Sequence, residues 1–219
     1  MLVMSRNDWF AWHSRYDDPD SFLSRRLAMV QARLAEAMDR CGPGRIQVVS
    51  MCAGQGRDIL GVLARHPRAG DVVARLVESD PRNAALARQE ALPFPGVEVV
   101  EADAGCTDVY AGAVPADIVL ACGVFGNISG DDIQRTVAAF PSLCARGAVV
   151  IWTRHRAEPD LTPQVRDWFR REGFAEEAFG VSEDAFMAVG AHRLTGKALH
   201  FRPGEVLFRF NGRRTGTAT

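Results

Sequence analysis

Between residues 46 and 172 one pattern repeats: a short apolar run, then a longer amphipathic stretch. The apolar runs are 46–50, 72–78, 97–102, 118–122 and 148–153. The helix-like stretches are 55–65, 81–92, 131–140 and 163–172, with at most a short helix in 104–115. Strands that alternate with helices are joined by crossovers, and crossovers make neighbouring strands parallel. The runs are apolar throughout rather than alternating, as needed when helices cover both faces of a sheet. An α/β architecture follows. Beyond Gly173 the pattern changes. Strand candidates 174–179, 186–194 and 206–210 have no helix between them, which predicts an antiparallel edge.

Local signals set the boundaries. Residues 9–16 carry Trp9, Trp12, His13 and Tyr16 on one helical face and end at Asp17-Asp18-Pro19. A second helix starts at the N-cap Ser21, lines up Leu23, Leu27, Val30, Leu34 and Met38, and stops at Cys41-Gly42-Pro43-Gly44. Asp80 with Pro81, Ser129, and Thr162 with Pro163 begin later helices, and Pro141 is expected to break or restart one. The expected organisation is a helical cap over 1–44, a sheet domain over 45–212 and a frayed tail over 213–219.

Composition removes several classes. Lys197 is the only lysine among 26 basic residues, and no G-x-x-x-x-G-K-[ST] is present, so a P-loop nucleotide hydrolase is excluded. Cysteines 41, 52, 106, 122 and 144 form no C-x-x-C pair, which indicates neither a zinc cluster nor a disulfide framework; no metal is expected. A net charge of −1 gives no general drive toward nucleic acid or an anionic membrane. No apolar run approaches the roughly 20 residues that span a bilayer. The start lacks a basic segment followed by an apolar one, so a cytoplasmic protein with reduced cysteines is expected.

The loops after the strands carry the chemistry. In an open α/β sheet, ligands bind beyond the carboxyl ends of the strands where strand order reverses. The loop after the first strand is Ser50-Met51-Cys52-Ala53-Gly54-Gln55-Gly56-Arg57-Asp58. Gly54 and Gly56 allow a tight turn and close approach of a ligand. Ile59 stands where a dinucleotide site places its third glycine, which argues against a diphosphate ligand and a nicotinamide enzyme. Glu78, expected to point into the crevice, and Asp80 follow the second strand; an acid there can accept from both ribose hydroxyls. Asp80 serves equally well as a helix cap. Asp103, followed by Ala104, ends the third strand, where a carboxylate can accept from an adenine amino group.

The four segments VVSMCAGQGRD, LVESDP, EADA and ADIVLACGVFGNI occur in order. Together they resemble the class I S-adenosylmethionine-dependent methyltransferases, over about residues 46–190. The resemblance implies a Rossmann-like seven-stranded, mostly parallel sheet with an antiparallel edge strand and helices on both faces. It implies S-adenosylmethionine as cofactor, with Cys52, Ala53, Gly54, Gln55, Gly56, Asp58, Glu78, Asp80, Asp103, Ala104, Cys122 and Gly123 around it. The N-terminal helices resemble the cap that small-molecule members fold over the cofactor. Two positions depart from the family. Ser50 stands where an acid is usual, and Cys52 where a glycine is. Asp58 or a backbone carbonyl would then meet the cofactor's amino group.

Transfer of an activated methyl group asks the protein mainly for alignment and, where needed, removal of a proton. His155, just past the fifth strand, is the candidate base, with Asn127 as a group that orients the acceptor. Trp9, Trp12, His13, Tyr16 and Arg154 are candidate acceptor-lining residues. His192 and Arg193 fall in a late strand, where a structural role is favoured over a direct one. The expected partner is a small molecule, with no nucleic acid and no membrane; a homodimer is allowed. The alternatives are an RNA methyltransferase, against which the balanced charge speaks, and a cofactor-binding protein without catalysis.

Overall fold

A computed structural model describes residues 8–184 and 186–210, apart from the side chains of Trp12 and Ser14. The expectations for 213–219 and for the Trp12 side chain fall outside the described residues. Seven strands form one sheet: β1 (Ile46–Met51), β2 (Val72–Glu78), β3 (Val97–Glu101), β4 (Ala116–Ala121), β5 (Cys144–His155), β6 (Phe174–Val181) and β7 (Met187–Leu194). Their order is β3-β2-β1-β4-β5-β7-β6. β1 pairs in parallel with β2 and β4, so strand order reverses between β1 and β4. β7 runs antiparallel to both β5 and β6. The α/β architecture, the Rossmann-like reversal and the antiparallel edge are therefore as expected.

The helices are α1 (Trp9–His13), α2 (Phe22–Arg40), α3 (Arg57–Leu63), α4 (Pro81–Glu90), α5 (Gly130–Leu143) and α6 (Thr162–Arg171). Strand alternation splits the core into two layers. On one face Val49, Met51, Val119, Val150 and Trp152 pack with Phe125, Phe140 and Phe169. Trp152 stacks on Phe169 at 6.1 Å, and Gly190 beside it leaves the room the indole needs: a Cβ there would come within 2.4 Å of the ring. On the other face Val48, Leu76, Ile118, Leu120 and Ile151 meet Val30, Leu34 and Met38 of α2 and Ile59 and Leu63 of α3. The C-terminus of α2 is tied down by Arg68, which donates to the carbonyls of Met38, Cys41, Gly42 and Gly44.

Several boundaries follow the capping signals. Ser21 accepts from the Ser24 amide, Asp80 from that of Arg82, and Ser129 from that of Asp132. Other expectations are corrected. The helix through 9–16 gives way to a 3-10 turn over Ser14–Asp17, so Tyr16 is not carried on α1. Arg26 is buried on α2 where Leu27 was expected, and Leu27 is only half-buried. Pro141 does not break α5. It sits in the last turn, where Phe140, Ser142 and Leu143 are buried with it, and that packing offsets one lost hydrogen bond. Asp160, not Thr162, caps α6, accepting from the Thr162 amide and hydroxyl.

Residues 206–210 join no sheet. They form a strap held on the loop after β3 by a single bridge, Cys106 to Val206, and by the Leu207 amide on the Gly105 carbonyl. Their apolar side chains Leu207 and Phe208 fill the core instead of extending an edge.

His192 is a core residue. Its ring is 1% exposed, lies 4.4 Å from Phe169, and accepts at Nδ1 from the Trp152 indole at 3.1 Å. Burial pulls its pKa down to about 4, against a weaker upward pull from Glu176. The folded chain therefore holds a neutral imidazole in the range where the unfolded chain is protonated. Stability conferred by the neutral ring is complete above the ordinary value of 6.5 and is lost as pH falls toward 4. Urea unfolding at pH 7 and pH 4 should show about 3 kcal/mol of acid-induced loss that His192→Gln lacks. Identical pH slopes in the two proteins would contradict the assignment.

Candidate functional site

The carboxyl ends of β1 and β4 flank the point of strand reversal, and the loops beyond them border the candidate site. The loop after β1 adopts left-handed backbone at Cys52 (φ 51°), Gly54 (φ 58°) and Gly56 (φ 72°). Glycine accepts this conformation freely; for Cys52 it costs of order 1 kcal/mol. The cysteine thus stands in a backbone shape suited to the glycine usual at that position. The Ala53 amide donates to the Val77 carbonyl at 2.9 Å, which holds the loop against the end of β2.

Glu78 fixes this region. It is 8% exposed, and its two oxygens accept from the Gly54 amide at 2.8 Å and the Asp80 amide at 2.7 Å. It also stitches the loops after β1 and β2 together. A carboxylate has about four acceptor sites, so two remain for a ligand. Asp80 caps α4 and pairs with Arg82 at 2.7 Å, which holds its pKa below the usual carboxylate range. Asp103 accepts from the Gly105 amide at 2.9 Å, and buried Ala104 accepts from the Tyr110 hydroxyl at 2.5 Å. A Cβ on Gly105 would meet the Phe208 carbonyl at 2.4 Å, so the strap braces this turn.

On the β4 side, the Gly123 amide is taken by the Thr153 hydroxyl at 2.8 Å, and burial pushes the Cys122 thiol well up. Gln55 spans to Asn83 at 3.3 Å and accepts from Arg57 at 3.0 Å. Asp58 lies in the first turn of α3, and burial raises its pKa against the pull of Arg26.

The N-terminal segment lies down on these loops. The His13 ring covers Gly54 so closely that a Cβ there would meet its Nε2 at 2.3 Å. His13 Nδ1 is 2.6 Å from the Trp9 carbonyl, and burial lowers its pKa, which favours the neutral ring. Tyr16 is hydrogen-bonded to Arg26 and has Arg57 over its ring at 5.4 Å. Phe10 faces Arg82, and Trp9 meets Phe210 of the strap edge-on at 6.0 Å.

Past β4 and β5, the structure divides the expected acceptor group. His155 lies against Gly126, with Nε2 3.3 Å from its carbonyl, and stacks on Phe186 at 6.1 Å. Its Nδ1 is buried with no hydrogen-bond partner. Arg154 follows the opposite strand alternation, is buried, and feels Asp160 before α6. Asn127 donates to the Gly123 carbonyl at 2.7 Å and shapes the loop after β4. Three residues the sequence reading passed over join the site: Arg26, Phe22 and Phe186, the last two in edge-on contact at 5.7 Å. Arg26 left a legible signal. With Leu23 and Val30 it occupies positions i, i+3 and i+7, so a cation stands within the apolar stripe of α2.

The left-handed loop generates one stability prediction. Cys52→Gly should be more stable than Cys52→Val by more than about 1 kcal/mol, because a β-branched side chain is strained at positive φ. Equal urea midpoints would show that the loop relaxes to ordinary backbone.

No family model and no curated protein matches the sequence. Solved structures do match in fold. The chain is similar to magnesium protoporphyrin IX methyltransferase from Synechocystis with bound S-adenosylmethionine (TM-score 0.62, 13% identity, 83% of this chain and 88% of that one). It is similar to a 1,6-didemethyltoxoflavin-N1-methyltransferase from Burkholderia thailandensis (TM-score 0.60, 15% identity, 85% and 86%). A possible exported protein from Bordetella parapertussis matches equally well in shape (TM-score 0.62, 14% identity, 85% and 79%). The chain therefore has the Rossmann-like fold found in class I S-adenosylmethionine-dependent methyltransferases.

Proposed function

We propose that this protein is a methyltransferase that uses S-adenosylmethionine to methylate oxygen or nitrogen on a small molecule. The observation that carries the reading is the buried Glu78 carboxylate at the end of β2, bonded to the amides of Gly54 and Asp80. Beside it lie the left-handed loop of Cys52, Gly54 and Gly56 and, one strand further, Asp103. This donor set suits a nucleoside without phosphates. Its carboxylates can accept from a ribose diol and an adenine amine, and Ile59 stands where a pyrophosphate site places its third glycine. Gly54 allows close approach, and His13 now fills that space, so ligand entry includes displacement of the His13 ring.

In this reading Glu78 holds ribose, Asp103 and Ala104 hold adenine, and the loop from Cys52 to Gly56 with Cys122 and Gly123 lies along the rest of the cofactor. The cofactor supplies an activated methyl group; the protein supplies alignment, exclusion of water and a place for the acceptor's proton. His155 is the proposed base. With Nε2–H donating to the Gly126 carbonyl, its buried Nδ1 keeps a lone pair and no competing partner. Asn127 positions the loop under it. Trp9, His13 and Tyr16 of the N-terminal cap are proposed to enclose the acceptor, together with Phe22 and Phe186, while Arg154 lies on the other side of β5. The named relatives act on a porphyrin and a toxoflavin precursor, which favours a small, partly apolar acceptor here too. Among the described residues no helix is long and apolar enough to cross a membrane.

Two outcomes test the reading. Glu78→Ala and Asp103→Ala should each weaken calorimetric binding of S-adenosylhomocysteine by about tenfold or more, the loss of one to two charge-assisted hydrogen bonds. Wild-type affinity in both folded variants would remove the cofactor assignment. Once an acceptor is identified, His155→Asn should lower turnover at neutral pH by about 10²-fold with cofactor affinity retained; unchanged turnover would end the base assignment.

A further inference from the structure

The sheet ends in two edge strands, β3 and β6, and they are built differently. An edge strand offers a row of unpaired backbone groups, which a monomer closes off with a bulge, a cover or charge. The β6 ladder to β7 shifts between Glu176 and Ala178, which distorts that edge. The β3 ladder to β2 runs from Val97 to Glu101 without a shift. Beside β3 the α4 flank forms a hollow of about 240 Å³ lined by Arg88, Leu92, Phe94, Pro95, Val97 and Val99. Leu92 is 81% exposed, more than any other large apolar side chain described. The backbone of β3 shows what this edge offers. The Ala74 amide donates to the Gly96 carbonyl and the Ala102 amide to the Glu78 carbonyl, at 2.9 and 3.0 Å. Even-numbered residues of β3 therefore turn their backbone toward β2, and Val97, Val99 and Glu101 turn theirs outward. The Val97 amide closes on the Phe94 carbonyl at 2.9 Å. Among the described residues, Val99 and Glu101 form no backbone hydrogen bond outside the ladder to β2. Their side chains share the α4 face with Val97, and there Glu101 pairs with Arg88 at 3.6 Å.

We propose that β3 pairs antiparallel with β3 of a second copy of this chain, about a two-fold axis at Val99, joining the two sheets into one. The proposal is independent of the cofactor reading. In this register Val99 lies opposite Val99, Val97 opposite Glu101, and Glu98 opposite Val100. The outward groups of Val99 meet their counterparts, and the Glu101 amide reaches the Val97 carbonyl. Charge selects the register. An axis at Glu98 or at Glu101 sets two acids directly opposite, which is destabilising. An axis at Val100 carries Val97 past the end of the opposing strand, so pairing is lost. With the axis at Val99, Glu101 of the second copy arrives beside Val97, on the face of the hollow that holds Arg88. Each Arg88 then meets a carboxylate from both chains, and the hollow rimmed by Leu92 is covered. A patch that complements itself in this way fits a closed two-fold dimer.

Sedimentation velocity on the full chain, up to about 100 µM, reads the assembly, and the chain should sediment as a dimer at the upper end. Val99→Lys sets two cations on the axis and should raise the dissociation constant by about 100-fold or more. Glu101→Arg and Arg88→Glu change exposed side chains. Each alone should weaken the dimer by about tenfold, and the double exchange should return it to within about threefold of the unchanged chain. Val181→Lys, on the β6 edge, should leave the dimer as it is. Circular dichroism checks the folding of every variant, and the exposed Arg88 and Glu101 exchanges decide the matter should Val99→Lys fail to fold. A monomer at every concentration, which leaves the edge to a different partner, overturns the proposal. So does a dimer that Val181→Lys breaks, one that folded Glu101→Arg leaves intact, or a double exchange that restores nothing.

Discussion

The Glu78 carboxylate is the tie on which the site depends. One oxygen holds the Gly54 amide and the other the Asp80 amide, so a single buried charge sets the relative position of the loops after β1 and β2. These hydrogen bonds are charge-assisted and shielded from water, which makes them stronger than neutral ones. They also neutralise the cost of burying the carboxylate. The acid therefore shapes these two loops before any ligand arrives. Preorganisation of this kind lowers the ordering cost of binding.

Around that tie the protein places its charges and rings with a clear polarity. Carboxylates gather at the ends of β2 and β3, while arginines 26 and 57 gather beneath the N-terminal segment. A neutral imidazole, His13, lies over Gly54 between the two groups. The segment that carries it is short; Asp17 pairs with Arg57 at its far end, and three consecutive residues hold its start. Asp8 and Phe10 engage Arg82, and Trp9 engages Phe210. The arrangement links this segment, the start of α4 and the C-terminal strap.

Much of the scaffold was legible because its signals are local. The apolar runs, the caps Ser21, Asp80 and Ser129, and Gly173 at the end of α6 each report a short-range preference of the backbone. Several errors share an origin, which is packing between distant segments. Pro141 survives within α5 because its neighbours are buried, and 206–210 looks like a strand yet serves as a strap because Gly105 lets the Phe208 backbone approach. The spacing on α2 suggested Leu27 for the core, but the crevice beside α3 draws Arg26 inward instead.

What the sequence determined alone is the kind of sheet and the list of loops that border its carboxyl edge. Continuous apolar strands separated by helices leave few other topologies, and Glu78, Asp103, Gly54 and Gly56 follow strands whose ends must converge. Tertiary structure alone decided how those residues are used. It turned Glu78 into a brace, set Cys52 at a positive φ, parted Arg154 from His155 by strand alternation, and buried Arg26 beside Tyr16. Each outcome depends on contacts across long stretches of chain, whose energies are paid and recovered only when the whole core closes.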